Sequence, residues 1–253
     1  MCRGYNSGVE EIAITSFVDF HNVVDVLAQN GWMFRGVPDL ANHHLVPSAG
    51  RYWPALRDAG RTKAFFFKAE KEALVRFQLE AHPYFAHVPR NVWELMAIAQ
   101  HHGLPTRLLD WSNNPLVALY FAVARGFECD AAVYFFPYER WFTPEMRSDD
   151  PFTVSEVVGL AVSHLTPRLT AQAGFFTLQP DPTEQFEILG LRRMRIAASS
   201  RHELRETLFG YNVNEKALFP GLDGVAGYVK QLKFLDWTNR LPHDYGDSGA
   251  FDR

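Results

Sequence analysis

The sequence predicts one mixed α+β domain, on three observations. Helical periodicity dominates the first half, short apolar runs of strand character are scattered through the whole, and no stretch reads as a linker. A chain of 253 residues can bury a sizeable core within one large domain, and it has no internal repeat or low-complexity tract to suggest an array.

The elements follow in order. Residues 1–15 are expected to be a lead ahead of the domain. Ser16 is placed to cap a helix over "SFVDFHNVVDVLAQNG", with Phe17, Phe20, Val23, Val24 and Leu27 on one face and Gly31 placed to end it. "WMFRG" (32–36) reads as a strand closed by glycine and Pro38. From there to about Arg61 turn residues abound without a period, which predicts a loop over the surface or over a site. "TKAFFFKAEKEALVRFQLEAH" (62–82) and "NVWELMAIAQHH" (91–102) read as helices, the second closed by Gly103 and Pro105. "TRLLDW" (106–111) is a short, buried strand. Asn113 or Asn114 then caps "PLVALYFAVARG", where Pro115 takes the favoured first-turn position and the apolar character all round predicts burial. "DAAVYFFPY" (130–138), "QAGFFTLQP" (172–180) and "LRRMRIAAS" (191–199) read as strands. "RHELRETLFG" reads as a helix, and "FPGLDGVAGYVKQLKFL" starts another. Residues 236–253 are expected to form a C-terminal tail.

Charge and cysteine content narrow the function classes. A formal net charge of −4 excludes a global basic field for nucleic acid, though "LRRMR" (191–195) leaves room for a local patch. Two cysteines, Cys2 and Cys129, do not make a disulfide framework or a cysteine zinc site. The opening residues resemble neither a signal peptide nor a membrane span, and no later run approaches ~20 apolar residues. The expectation is a soluble cytoplasmic protein without membrane partners.

Candidate chemistry gathers in three places. Arg35 ends a strand directly before Gly36, which suits bidentate capture of phosphate or carboxylate with close main-chain approach; an edge arginine paired to a surface acid is the plainer reading. His101 and His102 close a helix, but adjacent helical residues point about 100° apart, so they are poorly placed to share a metal. No HExxH or Cys/His spacing occurs, and no metal is expected. In "TRLLDWSNN", alternation sends Arg107, Leu109 and Trp111 to one face and Leu108, Asp110 and Ser112 to the other, beside a helix N-terminus that suits anions or sugar hydroxyls. The plainer alternative has Asp110 capping the next helix and Arg107 pairing with it. A Ser–His–Asp hydrolase, or a nuclease using the same cluster, lacks the GxSxG elbow. Gln172 is expected on a strand with Gly174 on the same face. Glu184, Glu187 and the acidic "SDD" (148–150) read as solvated surface.

Four stretches in this order, "WMFRG", "WELMAIAQHHGLPTRLLDWSNNPLVALYFA", "RLTAQAGFFTLQP" and "ALFPGLDGVAGYVK", resemble the FRG domain family over residues 16–235. That family resembles the ADP-ribosyltransferase superfamily. The resemblance implies a split antiparallel/mixed β core flanked by helices, and NAD as co-substrate. It implies that Arg35 holds NAD and that Ser112 occupies the position of a serine motif before a helix. Gly36, Thr106 and Arg107 would join Arg35, Ser112 and Gln172 in the binding set. Gln172 and Gly174 occupy the two acidic positions of the strand that otherwise carries a catalytic glutamate. Transfer passes through an oxocarbenium-like transition state that a carboxylate stabilises, and glutamine supplies no charge. Asp110 is the first substitute and Glu94 the second, with His101 as a base and His102 a bystander.

The resemblance therefore implies a mono-ADP-ribosyltransferase acting on a macromolecule, protein or nucleic acid, with the many aromatic rings available to stack on nicotinamide or a base. Roles as a bacterial toxin or defence effector, with a cognate antitoxin or immunity partner, belong to the same implication. The alternative is a non-catalytic NAD or nucleotide-binding module.

Overall fold

A computed structural model of the chain describes residues 9–27, 31–85, 87–125, 128–138, 141–162 and 166–235. It is an α+β fold around one mixed sheet. In chain order the elements are β1 (Glu10–Ile14), α1 (Phe17–Leu27), β2 (Trp32–Val37), α2 (Trp53–Asp58), α3 (Lys63–Ala81), α4 (Val92–His101), β3 (Leu108–Ser112), α5 (Pro115–Val123), β4 (Ala131–Pro137), β5 (Trp141–Phe142), β6 (Val158–Ala161), α6 (Pro167–Ala171), β7 (Gly174–Leu178), β8 (Arg192–Ile196), α7 (Arg201–Gly210), α8 (Glu215–Leu218) and α9 (Leu222–Lys230).

Local chemistry explains most boundaries. Ser16 Oγ accepts from the Asp19 N–H while the Asp19 carboxylate reaches back to the Ser16 N–H, a reciprocal cap at the start of α1. Residues 28–30, where that helix was expected to end, lie outside the described residues, as does the 236–253 tail. Thr62 caps α3 and Asn91 caps α4. Of the two candidates before α5, Asn114 is the cap: its side chain accepts from the Leu116 N–H, and Pro115 follows at the first turn.

The strands run in the order β1-β8-β4-β2-β3-β7-β6-β5. The outermost pairs, β1 with β8 and β5 with β6, are parallel, and the others are antiparallel. β2 and β4 pair over their whole length, and β3 and β7 likewise, but β2 meets β3 at one residue pair, Phe34 with Ser112. The sheet therefore divides at its centre into two half-sheets. On one face, α1, α5 and α7 cover the first half with a core that includes Phe34, Phe135 and Met194. α3 and α4 cover the second with Trp93, Leu108 and Phe176. On the opposite face one core crosses the division, from Met33 and Phe136 to Leu109 and Trp111.

Several expectations are corrected. Residues 10–14 are not only a lead but an edge strand, fixed by cross-strand pairs: Glu10 meets Arg192, and Glu11 meets both Arg193 and Arg195. The arginines of "LRRMR" are each paired, Arg192 with Glu10, Arg193 with Glu11, and Arg195 with Glu11 and Asp130. The loop after β2 contains α2, six residues too short to reveal a period. The strands β5 and β6 and the single-turn α8 carried no pattern in the sequence. Asp149 and Asp150 lie on the exposed surface as expected, and there they pair with Arg147 and Lys71. Among the described residues no helix is long and apolar enough to cross a membrane.

Candidate functional site

Where the two half-sheets part, a cavity of about 310 Å³ opens. β2 contributes Phe34, Arg35 and Gly36, and β3 contributes Asp110 and Ser112. α5 closes it with Val117, Ala118 and Phe121, and the α6–β7 corner with Arg168 and Gln172. Its volume falls at the lower end of the ~300–1,000 Å³ typical of ligand pockets. Asp110 is the only carboxylate among the described residues that line it.

Pleating places Arg35 on the face of Met33 and Val37, whereas Asp110 shares its face with Leu108. Arg35 meets Asp110 by reaching through the gap between β2 and β3. Its Nη1 donates to the Asp110 carbonyl at 2.5 Å and lies 3.4 Å from the carboxylate Oδ2. Arg35 Nε is buried and has no acceptor, so a donor is left over beside the cavity. The side chain of Asp110 is 58% exposed, open to a ligand despite this contact. From the other side Gln100 Nε2 donates to it at 3.2 Å.

Ser112 and Gln172 are brought together, but by a bond between them. Ser112 Oγ donates to the Gln172 carbonyl at 2.8 Å and accepts from the Asn114 N–H at 3.0 Å, tying the α6–β7 corner to the start of α5. Gln172 lies outside the strand that was expected to carry it: it caps α6, and Ala173 then takes a positive φ of 46° before β7 begins. Its amide Nε2 donates to the Leu218 carbonyl at 3.1 Å. Gly36 needs no unusual backbone angle, since its φ is not among the positive ones. A Cβ there would sit 1.9 Å from the Ala118 carbonyl, so glycine is required for α5 to lie against β2.

The electrostatics around Asp110 are cationic. The Arg168 guanidinium, which also lines the cavity, lies over the Phe219 ring at 4.6 Å. Burial lowers the pKa of Arg51, and repulsion from Arg35 adds to the effect. Burial also lowers the pKa of His43 and of His101. His102 and Arg168 push His101 further down against an opposing pull from Asp110. A neutral imidazole at His101 near pH 7 follows, and a neutral imidazole can accept a proton.

Residues 30–130 match the FRG domain family. No curated protein and no solved structure matches the chain. The matched span holds β2, β3 and α5, hence Arg35, Gln100, Asp110 and Ser112. The α6–β7 wall, with Arg168 and Gln172, lies beyond it.

Within the FRG match, some expected site residues are placed elsewhere. Arg107 is 1% exposed and grips Glu70 of α3 through two bonds of 2.9 and 2.6 Å, so it neither lines the cavity nor pairs with Asp110. Thr106 is buried behind the wall, where its hydroxyl donates to Gln100. Glu94, the second substitute acid, is 7% exposed, accepts from the Arg90 N–H at the start of α4 and does not line the cavity. His101 is near Asp110 electrostatically but is not among the lining residues, and His102 is exposed with its ring edge-on to it. Among the described residues no three His, Cys, Asp or Glu side chains form a metal-binding group. Sequence reasoning missed Gln100, Arg51 and Arg168. The one available signal was Gln100, an uncharged polar residue in the last turn of an otherwise apolar helix.

Proposed function

We infer that the cleft binds NAD and transfers its ADP-ribosyl group to a macromolecular acceptor, as a mono-ADP-ribosyltransferase. One observation carries this reading: the single carboxylate that lines the cavity among the described residues, Asp110, stands beside Arg35 at the point where the sheet divides. The orphaned, buried Arg35 Nε is a donor suited to a phosphate oxygen, and Arg51 adds a second cation nearby. The ribose–nicotinamide end fits a cavity of about 310 Å³, with the phosphates against Arg35.

In the reaction the bond between ribose C1′ and the nicotinamide nitrogen breaks, and nicotinamide leaves with the electron pair. An acceptor oxygen or nitrogen forms the new bond to C1′ and gives up its proton. Asp110 faces the positive charge that grows on the ribose ring. The base for the acceptor's proton is His101, which burial keeps neutral and which stands outside the lining residues, near enough to Asp110 to feel its charge. Gln172 orients the α6–β7 wall through its own main chain rather than serving as an acid.

Nicotinamide release from NAD tests the reading. Asp110→Asn lowers the rate on the order of a hundredfold, with NAD affinity changed only a few-fold. Arg35→Ala weakens NAD binding itself. Saturable NAD binding without release above the Arg35→Ala background sinks the transferase and leaves the second reading, a nucleotide-binding module. The second reading is favoured by the glutamine and glycine, Gln172 and Gly174, in place of acids on the α6–β7 wall.

A further inference from the structure

Gln100 sits half-buried in the last turn of α4, and its two amide ends meet different chemistry. Oε1 accepts from Thr106 Oγ1 at 2.8 Å and lies 3.4 Å from Ser48 Oγ. Ser48 is itself held, accepting from the Thr106 backbone N–H at 3.0 Å. Ser48 Oγ has a shorter acceptor in the Thr106 carbonyl at 3.2 Å, so it is Thr106 Oγ1 that holds the carbonyl end, and the NH₂ end is turned toward β3. There it lies 3.4 Å from the Leu108 carbonyl and 3.4 and 3.2 Å from the two carboxylate oxygens of Asp110. Reversing the amide would set its carbonyl oxygen against the Asp110 carboxylate and the Leu108 carbonyl, which are acceptors only, so the network selects one orientation.

Such an arrangement differs from an ion pair. A lysine or arginine in place of Gln100 would fix the carboxylate and cancel its charge. An amide fixes it and adds no charge. Arg35 spends its shortest contact, 2.5 Å, on the Asp110 backbone carbonyl and stands back at 3.4 Å from the carboxylate. The carboxylate is thus oriented from two sides, Gln100 adds no charge against it, and the longer 3.4 Å pairing with Arg35 leaves the Asp110 side chain 58% exposed to the cavity.

We propose that Gln100 is a positioning residue that aims the Asp110 carboxylate at a cationic ring seated in the cavity. This rests on the reading above for the class of ligand, a ribosyl ring acquiring positive charge, but not on turnover. Two probes separate charge from shape: a protonated polyhydroxylated pyrrolidine with the hydroxyl pattern of ribose, and its neutral tetrahydrofuran counterpart. Calorimetry on the full chain gives the affinity for each. The wild type binds the cation more tightly than the neutral ring. Gln100→Leu loses about tenfold of that preference while its affinity for the neutral ring stays within about twofold. Thr106→Val, which releases the carbonyl end of Gln100 without touching the carboxylate, loses a smaller part. An unchanged preference in Gln100→Leu overturns the proposal, as does a wild type with no preference for the cation. Should Gln100→Leu fail to fold, an unchanged preference in Thr106→Val overturns it instead. Nicotinamide release measured alongside keeps the two readings apart. A wild type that prefers the cation but releases none removes the transferase and leaves the positioning role standing.

Discussion

Each half of the sheet contains a fully buried arginine, and the two are accommodated differently. In the first half Arg201, at the start of α7, donates to the carbonyls of Ala122, Arg125 and Cys129 around the end of α5. In the second, Arg107 just before β3 is matched by the carboxylate of Glu70, with the Phe152 ring against its guanidinium at 4.7 Å. The first solution uses carbonyl dipoles that a helix end leaves over, so the cation serves as a cap. The second moves an acid into the core to meet the cation, which ties α3 to the edge of β3. Both arginines anchor a wall of the same cleft, one through α5 and the other through β3. The first wall is held chiefly by carbonyl dipoles, with Asp39 and Asp130 acting on the cation electrostatically, and the second by a directly bonded pair of opposite charges.

Removing one anchor at a time separates these solutions. Glu70→Ala leaves the Arg107 guanidinium buried without its acid and costs about 3–5 kcal/mol in denaturant unfolding. The double variant Glu70→Leu with Arg107→Leu recovers most of that loss; a double variant as unstable as the single would show that the pair holds more than its own charges. Arg201→Met costs less, about 1–3 kcal/mol, because it strands carbonyls rather than an ion. Hydrogen exchange in that variant should rise first at the end of α5, and protection unchanged there would break the comparison. The smallest effect is in pH. His101, at the end of α4, has a folded pKa below its ordinary 6.5, chiefly from burial, and His43, beyond β2, is lowered for the same first cause. The unfolded chain takes up those protons first, so the stability they contribute is complete above pH 6.5. It declines as pH falls from there through the lowered folded values. The melting temperature is therefore flat from pH 8 to 7 and falls toward pH 5. His101→Gln and His43→Gln each flatten part of the slope, and a slope untouched by both refutes the assignment.

Much of this was legible in the sequence where local chemistry governs. Ser16, Thr62, Asn91 and Asn114–Pro115 mark helix starts, and alternation in "LLDWS" correctly placed Asp110 and Ser112 on one face. What was hidden depends on partners remote in the chain. Arg107 finds Glu70 thirty-seven residues earlier, a pairing that no spacing reveals. β1 reads as an unremarkable lead because its glutamates acquire meaning only opposite Arg192 and Arg193. Gln172 was drawn into the strand by the apolar run that follows it, whereas the positive φ at Ala173 turns the chain first. Gln100 was passed over beside two histidines, residue types with more obvious chemistry.

The single meeting of β2 and β3 at Phe34 and Ser112 has one more effect. Two strands that pair throughout consume each other's peptide groups, whereas two that part after one pair leave alternate N–H and C=O groups along both inner edges. One of these, the Asp110 carbonyl, is already taken by a guanidinium. The cleft is thus walled in part by main chain, whose hydrogen-bonding pattern no side-chain replacement can erase. Exchanging the lining residues changes which molecule fits, while the strip of peptide groups persists as a constant of the fold.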